Sequence, residues 1–385
     1  MKQFRTLITI VVLMLSSIAV SAQTSVETLT IGVLVTDADI NADHATEIRQ
    51  AVQLAIDEIN DAGGVDNANN SDIYRLQAVF KDVANADEVA QAIAELTQEG
   101  AIAILGPESN ALLPDLSNLE VPLLTMGSGL DGIYHQTSEF VYQLRANDDT
   151  LARIALLFAV EELNAEDLAV ISADSRYGQI ATNAILEDVA ELDDVDLILD
   201  RTRNNTSDVS AIVADIVNDN PDTILVADRF DNFVGFMDEL SASEWSGELV
   251  YLYDNTDLVT VSVNDDIDLY SLSIWFNLAD DQMSDDFVDL YAETYGEMPS
   301  TLGVLYYDGL NLINAGLASA GDDRVALSNW FDVNADYTGV QGNYTAGNDS
   351  GELIRSAFVL QVVDGRLEEE QRYSFELDTF TVVSQ

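Results

Sequence analysis

From Leu29 to Thr36 the chain runs as an almost unbroken apolar stretch of strand length. From His44 to Asn60 the apolar residues Ile48, Val52, Ala55, Ile56 and Ile59 recur at helical spacing before Gly63 and Gly64 end the pattern. The alternation continues through a strand at Leu76–Lys81, a helix at Ala86–Gln98 with Val89, Ile93 and Leu96 aligned, a strand at Ala101–Leu105, a short helix from Ala111 and a strand at Val121–Thr125. Strands separated by helices join as crossovers, so this series predicts a parallel sheet. A second series follows, with helices Thr150–Leu163, Gln179–Leu192, Val209–Asn218 and Asn232–Ser241 alternating with strands Leu168–Ser172, Val195–Leu199, Thr223–Ala227 and Leu249–Tyr253. Runs such as Ile224-Leu225-Val226-Ala227 lack polar alternation, as strands covered on both faces do. A chain of this length exceeds the roughly 250–300 residues one hydrophobic core serves, which points to two doubly wound α/β lobes. The remainder predicts helices at Asp285–Tyr295 and Thr301–Ala320 and a last strand at Ser356–Val363.

The first 22 residues follow a different rule. Lys2 and Arg5 precede the apolar run Leu7–Leu15, and Val20-Ser21-Ala22 ends the segment in small residues. This is the pattern of a secretory leader cut after Ala22, and its apolar stretch is shorter than the roughly 20 residues a spanning helix needs. The expected product works outside the cytoplasm. The sequence has no cysteine, which excludes disulfides, a thiolate metal site and a cysteine nucleophile. It also excludes a lipid-carrying cysteine at the cleavage point, so a freely diffusing, monomeric periplasmic protein is expected.

The formal charge of the chain is −54, and removing Lys2 and Arg5 with the leader leaves 13 basic residues against 69 acidic ones, a charge of −56. Such a surface repels nucleic acid and anionic membranes. Acidity of this order can accompany disorder, but 48% of the residues are apolar, and acidic pairs such as Asp193-Asp194 and Asp285-Asp286 punctuate periodic segments. The acids therefore coat a core. Lys2 and Lys81 are the only lysines, and so unbalanced a charge points to a saline habitat.

Several strings occur in a telling order: Ile31-Gly32-Val33-Leu34, Ala51 to Val65 (AVQLAIDEINDAGGV), Ile104-Leu105-Gly106-Pro107, Val121-Pro122-Leu123-Leu124, Phe140 to Asp149 (FVYQLRANDD), Asp174-Ser175-Arg176-Tyr177-Gly178, Tyr307-Asp308-Gly309 and Gly339-Val340-Gln341-Gly342. Over nearly the whole mature chain this series resembles the type I periplasmic binding proteins, particularly the branched-chain amino-acid (Leu/Ile/Val) receptors of ABC importers. The resemblance implies two Rossmann-like lobes joined by three crossovers, near Leu144, Ser273 and Ala357. The N-terminal lobe would comprise 24–144 plus 274–356, and the C-terminal lobe 145–273 plus 357–385. It implies capture of an amino acid or similar small polar metabolite between the lobes for delivery to a membrane permease, without catalysis and without a cofactor. A sensory receptor of the same fold, feeding a signalling partner, is the alternative role.

The location of the site follows independently, because open α/β sheets bind ligands beyond the carboxyl ends of their strands. Those ends carry Ser109 and Asn110, Gly127-Ser128-Gly129, Tyr177, Arg229 and Phe230, and Asp254. In the clamp so drawn, Ser109 or Asn110 and the Gly127, Ser128 and Gly129 loop hold an anionic group. Tyr177 closes over the ligand, Phe230 covers its apolar part, Arg229 could meet an acidic group and Asp254 pairs with an ammonium. Gly129 departs from the family, whose amino-acid receptors usually carry threonine there, and Arg145 matches a largely structural arginine. Gly127 to Gly132 fits G-x-G-x-x-G, but Ile133 to Ser138 open no amphipathic helix, so a ligand-cradling loop is favoured over a dinucleotide site. Asp37 to Asp43 imitates the start of a calcium loop, with Ala42 where the turn glycine belongs. His44 and His135 have no partner at metal-ligand spacing and read as surface or packing residues.

A chain this acidic is expected to lose stability when screening is withdrawn. Its melting temperature should rise steadily from dilute buffer to molar salt as the Debye length shrinks from roughly 30 Å to 3 Å. A melting temperature that stays flat or falls over that range contradicts the reading of the acids as a salt adaptation.

Overall fold

Strand β1 (Val26–Thr36) lies at the centre of the first sheet, with β3 (Ile73–Val83) on one side and β4 (Ala101–Leu105) on the other. The computed structural model describes residues 26–66, 73–127, 137–204, 209–253, 256–277, 281–347, 350–354, 356–376 and 379–382. The expected leader, Ser128, Gly129, His135 and Asp254 lie outside these residues.

Helix α1 (Ala42–Asp61) connects β1 to the two-residue strand β2 (Val65–Asp66) and thence to β3, and α2 (Ala86–Gln98) leads on to β4. Strands β5 (Leu123–Thr125) and β6 (Val141–Gln143) complete the order β2-β3-β1-β4-β5-β6, in which only β2 is antiparallel. The chain thus adds strands first to one side of β1 and then to the other. A single 3₁₀ turn, Asn110–Leu112, stands where a short helix from Ala111 was expected.

The second sheet repeats the scheme. Helix α3 (Asp148–Glu161) leads into β7 (Asp167–Ala173), and α4 (Arg176–Val189), β8 (Asp196–Arg203), α5 (Val209–Asp219), β9 (Thr223–Ala227), α6 (Phe230–Ser241), β10 (Gly247–Tyr251) and β11 (Ile267–Ser273) follow. The parallel strands lie in the order β8-β7-β9-β10-β11, so the reversal falls between β7 and β9. After α7 (Gln282–Tyr295), α8 (Thr301–Ala320) and α9 (Arg324–Val333) comes the small ribbon of β12 (Asp336–Thr338) and β13 (Asn343–Thr345). The chain then adds β14 (Ser356–Val363) antiparallel to β11, and β15 (Arg366–Glu376) and β16 (Thr379–Val382) extend the sheet beyond the strand expected to be last.

The apolar runs divide their residues between two faces, as doubly covered strands must. In β9, Leu225 and Ala227 join the core that runs through both lobes, whereas Ile224 and Val226 join a separate cluster with Phe233, Phe236 and Trp245 on the outer face. In β4, Ile102 and Leu105 face the shared core while Ala101 and Ile104 pack with Leu96 and Val89.

The passages between the sheets are tied together. Gln143 N donates to Gly351 O and Leu353 N donates back to Gln143 O, at 2.9 and 3.0 Å. Asn147 N, at the head of α3, donates to Glu352 Oε1 at 2.8 Å. Beside them the wholly buried Asp308 of α8 accepts Val340 N and Gln341 N at 2.8 Å each and the Tyr344 hydroxyl at 3.0 Å. Gly339 is required there, since a Cβ on it would lie 2.6 Å from the Asp308 carboxylate. Among the described residues, no helix is long and apolar enough to cross a membrane.

Candidate functional site

A cavity of about 480 Å³ opens where the carboxyl ends of the two sheets face one another. From the first lobe it is lined by His44, by Glu108, Ser109, Asn110 and Ala111 after β4, by Met126 after β5, and by Thr301, Leu302 and Leu305 at the start of α8. From the first passage between sheets and from the second lobe come Arg145, Asp148, Arg176, Tyr177 and Tyr253. The volume suits a small metabolite.

Local structure fixes each of these. Asn41 caps α1, its side chain accepting from His44 N at 3.2 Å, which sets the histidine on the first turn. His44 Nδ1 then meets both Glu108 oxygens at 3.2 Å. This hydrogen bond raises the histidine pKa against the opposing effect of burial, and the charges of Glu108, Glu47 and Asp43 add to it. On the opposite side the Tyr177 hydroxyl donates to Leu252 O at 2.9 Å, and its ring meets Tyr253 edge-on with centroids 5.8 Å apart. Burial of the hydroxyl end holds the Tyr177 pKa well above the ordinary value, while the ring remains half-buried at the cleft. The Arg145 guanidinium lies over Tyr253, 5.6 Å from the ring centroid, and its Nε is buried without a hydrogen-bond partner among the described residues. Asp148, on the first turn of α3, is only 3% exposed. Burial raises its pKa to about 6, opposed by the charge of Arg145, supported by that of Asp149 and opposed again by Arg176.

The expected clamp residues separate into three groups. Ser109, Asn110 and Tyr177 line the cavity. Asn110 is engaged inside its own lobe, however: its Nδ2 donates to Gly127 O at 3.0 Å and its Oδ1 accepts from Thr125 Oγ1 at 2.7 Å. Gly127 is needed for that contact, because a Cβ would fall 2.4 Å from Asn110 N. The neighbouring Ser109 makes no side-chain cap bond to the 3₁₀ turn. Arg229 and Phe230 are not among the described residues that line the cavity. Arg229 sits exposed at the N-cap of α6, and Phe230 packs against the outer core of the second sheet. Ser128, Gly129 and Asp254 fall outside the described residues.

Other residues reached the site unannounced. His44 is a cleft residue and not merely a surface one, because the loop Asp37 to Asn41 turns α1 toward Glu108. Asp37 spends its Oδ1 on Asp39 N at 2.8 Å, which makes that loop an ordinary polar turn. Arg145, which the resemblance marked as largely structural, and Arg176 line the cavity as well. Glu108, Asp148 and Tyr253 carried no sequence signal beyond their places after strands and at a helix start. Among the described residues, no group of three or more His, Asp or Glu side chains is placed to hold a metal ion.

Two doubly wound lobes that share a cavity at their facing strand ends define a bilobed, cleft-binding protein. The sequence matches the periplasmic binding protein family over residues 28–366, and the chain belongs to that family. No curated protein matches it. Among solved structures it is similar to the leucine-binding protein LivK of Thermotoga maritima, at 20% identity and a TM-score of 0.70 over 89% of this chain and 98% of that one. The branched-chain amino-acid binding protein LivJ of Streptococcus pneumoniae, in complex with isoleucine, matches at 20% identity and a TM-score of 0.69, covering 92% and 99% of the two chains. A solute-binding protein of an ABC transporter from R. palustris, in complex with 4-hydroxybenzoate, matches at 18% and 0.71, covering 91% and 98%. At such identities the likeness establishes the fold.

The Asp148 carboxyl supplies a pH signature. Folding raises its pKa from 3.8 to about 6, so its contribution to stability is full below pH 3.8 and is lost as the pH climbs through 6. Asp148→Asn removes that loss. Relative to wild type, the variant should gain about 1–3 kcal/mol of unfolding free energy between pH 4 and pH 7.5, measured by denaturant titration at fixed salt. A difference independent of pH contradicts this assignment.

Proposed function

We propose that this protein is the extracytoplasmic receptor of an ABC importer, which captures an amino acid or similar small polar metabolite in the cleft and presents it to a membrane permease. The observation that carries the reading is the cavity itself, which draws lining residues from both lobes and lies beyond the reversal point of each sheet. Closure would bend the chain at the three passages between lobes, with 24–144 plus 274–356 moving against 145–273 plus 357–385. The role needs no catalysis.

Within this reading Ser109 is the first-lobe side chain that meets the ligand and Asn110 supports it from behind, since both ends of the Asn110 carboxamide are occupied. Tyr177 is the second-lobe wall, its ring positioned by the bond from its hydroxyl to Leu252 O. The leucine-binding LivK, the isoleucine complex of LivJ and the 4-hydroxybenzoate complex of the R. palustris protein support a small solute as the ligand.

A thermal-shift screen of amino acids, amides, short peptides and organic acids in molar salt tests the role. A true ligand at a hundredfold excess over its Kd should stabilise the protein by about 2.7 kcal/mol through mass action. A screen in which no small solute moves the melting temperature contradicts a receptor function.

A further inference from the structure

The two lobes line the cavity with different kinds of surface. The first lobe brings Met126, Leu302 and Leu305 beside its polar groups. Of the described residues that come from the second lobe and the first passage, Arg145, Asp148 and Arg176 are charged, so the apolar surface on that side is the rings of Tyr177 and Tyr253. Tyr177 presents its ring and not its hydroxyl, because the hydroxyl is already given to Leu252 O at 2.9 Å. Tyr253 is 37% exposed, although Tyr251 and Leu252 just before it are buried. Its ring is thus left open where the chain leading to it is packed away, and the space it borders is the cavity.

Tyr253 is also held in a fixed pose. Its carbonyl accepts from Ser271 Oγ of β11 at 3.3 Å, and the Leu252 N–H before it donates to Val226 O of β9 at 3.0 Å. The Arg145 guanidinium lies 5.6 Å from its ring centroid, and Tyr177 meets the ring at 5.8 Å and 80°. Behind it Tyr251 stands 6.5 Å away, stacked on Phe233 of α6 at 4.2 Å and 26°, with its own hydroxyl donating to Asp228 O at 3.0 Å. A series of rings therefore runs from the outer core of the second sheet to the cleft and ends in a pair set almost at right angles. Such a corner gives an incoming ring an edge-to-face or offset contact, the arrangements aromatic pairs prefer. A saturated or branched body fills the same space but gains only burial. Because both rings are positioned in advance, little rotamer freedom is lost when the ligand arrives. On the first-lobe side, Met126 supplies a thioether of the kind that packs well on ring edges.

We propose that Tyr253 determines specificity in this cleft and that the solute it selects carries an aromatic ring, which packs into the corner of Tyr177 and Tyr253. This assignment rests on the receptor reading and names the ligand class for the same cleft. The polar groups around the corner, Ser109 and Thr301 among them, then meet the head group of the solute. An aromatic amino acid and an aromatic acid share the chemistry that the corner reads.

The test uses the full mature protein in molar salt and isothermal titration with pairs that differ only in saturation of the ring: phenylalanine with cyclohexylalanine, and benzoate with cyclohexanecarboxylate. Leucine is run in parallel. Burial alone favours the saturated member, which is the more apolar, so a preference for the aromatic one isolates the contact between rings. At least one aromatic member should bind, about two- to tenfold more tightly than its saturated counterpart, and the pair that binds distinguishes an amino acid from an acid. Tyr253→Leu, which keeps an apolar side chain without the ring, should remove that preference, and Tyr253→Phe should preserve it. The ratio is read on wild-type protein, so it decides the matter even if a Tyr253 variant fails to fold. A saturated member that binds as tightly as its aromatic partner overturns the inference, and so does a preference that survives in Tyr253→Leu. Binding of leucine with no aromatic solute bound also overturns it, while leaving the receptor function standing. A panel in which nothing binds counts against both.

Discussion

A parallel sheet grows by right-handed crossovers, and when the chain adds strands to both sides of its first strand, the loops at that point leave in opposite directions. The crevice so formed cannot be filled by the sheet's own helices. In this protein the constraint operates twice, between β1 and β4 in one sheet and between β7 and β9 in the other. The two crevices face each other, and the cavity is what remains between them. His44 stands on the first turn of α1 and Glu108 and Ser109 on the loop after β4, at the first reversal, and Arg176 and Tyr177 follow β7 at the second.

The passages between lobes must bend without coming apart, and their hydrogen bonding reconciles the two demands. Gln143, Gly351 and Leu353 are bonded to one another through the backbone, and Asn147 and Glu352 continue the tie, so these two stretches of chain are held together. Asp308 holds the loop at Val340 and Gln341 from the α8 side. If the lobes close as proposed, such a tie would concentrate the rotation in a few residues. Asp148 lies immediately after these tied residues and also lines the cavity.

Much of the fold was legible because its strands are covered on both faces and its helices on one. Helices Ala86–Gln98 and Thr301–Ala320 and strands Ala101–Leu105, Thr223–Ala227 and Ser356–Val363 fall where the apolar pattern placed them. Strand β15 did not announce itself: Arg366 to Glu376 has no apolar run, with Leu367, Tyr373 and Phe375 scattered among charged and polar residues, and it lies toward the edge of its sheet. The site was less legible than the fold. Position after a strand selected Ser109 and Tyr177, which line the cavity, and also Arg229 and Phe230, which do not. Which way a strand-end side chain turns depends on packing, as the engagement of Asn110 by Gly127 and Thr125 shows, and no local pattern encodes that.

The account stands or falls on closure of two lobes around a solute. Small-angle scattering of the mature protein in molar salt, with and without a saturating compound from the thermal screen, tests it most directly. The account predicts a smaller radius of gyration and a shorter maximum dimension with ligand bound, reversed when the ligand is dialysed away. Identical scattering profiles at proven saturation would contradict it.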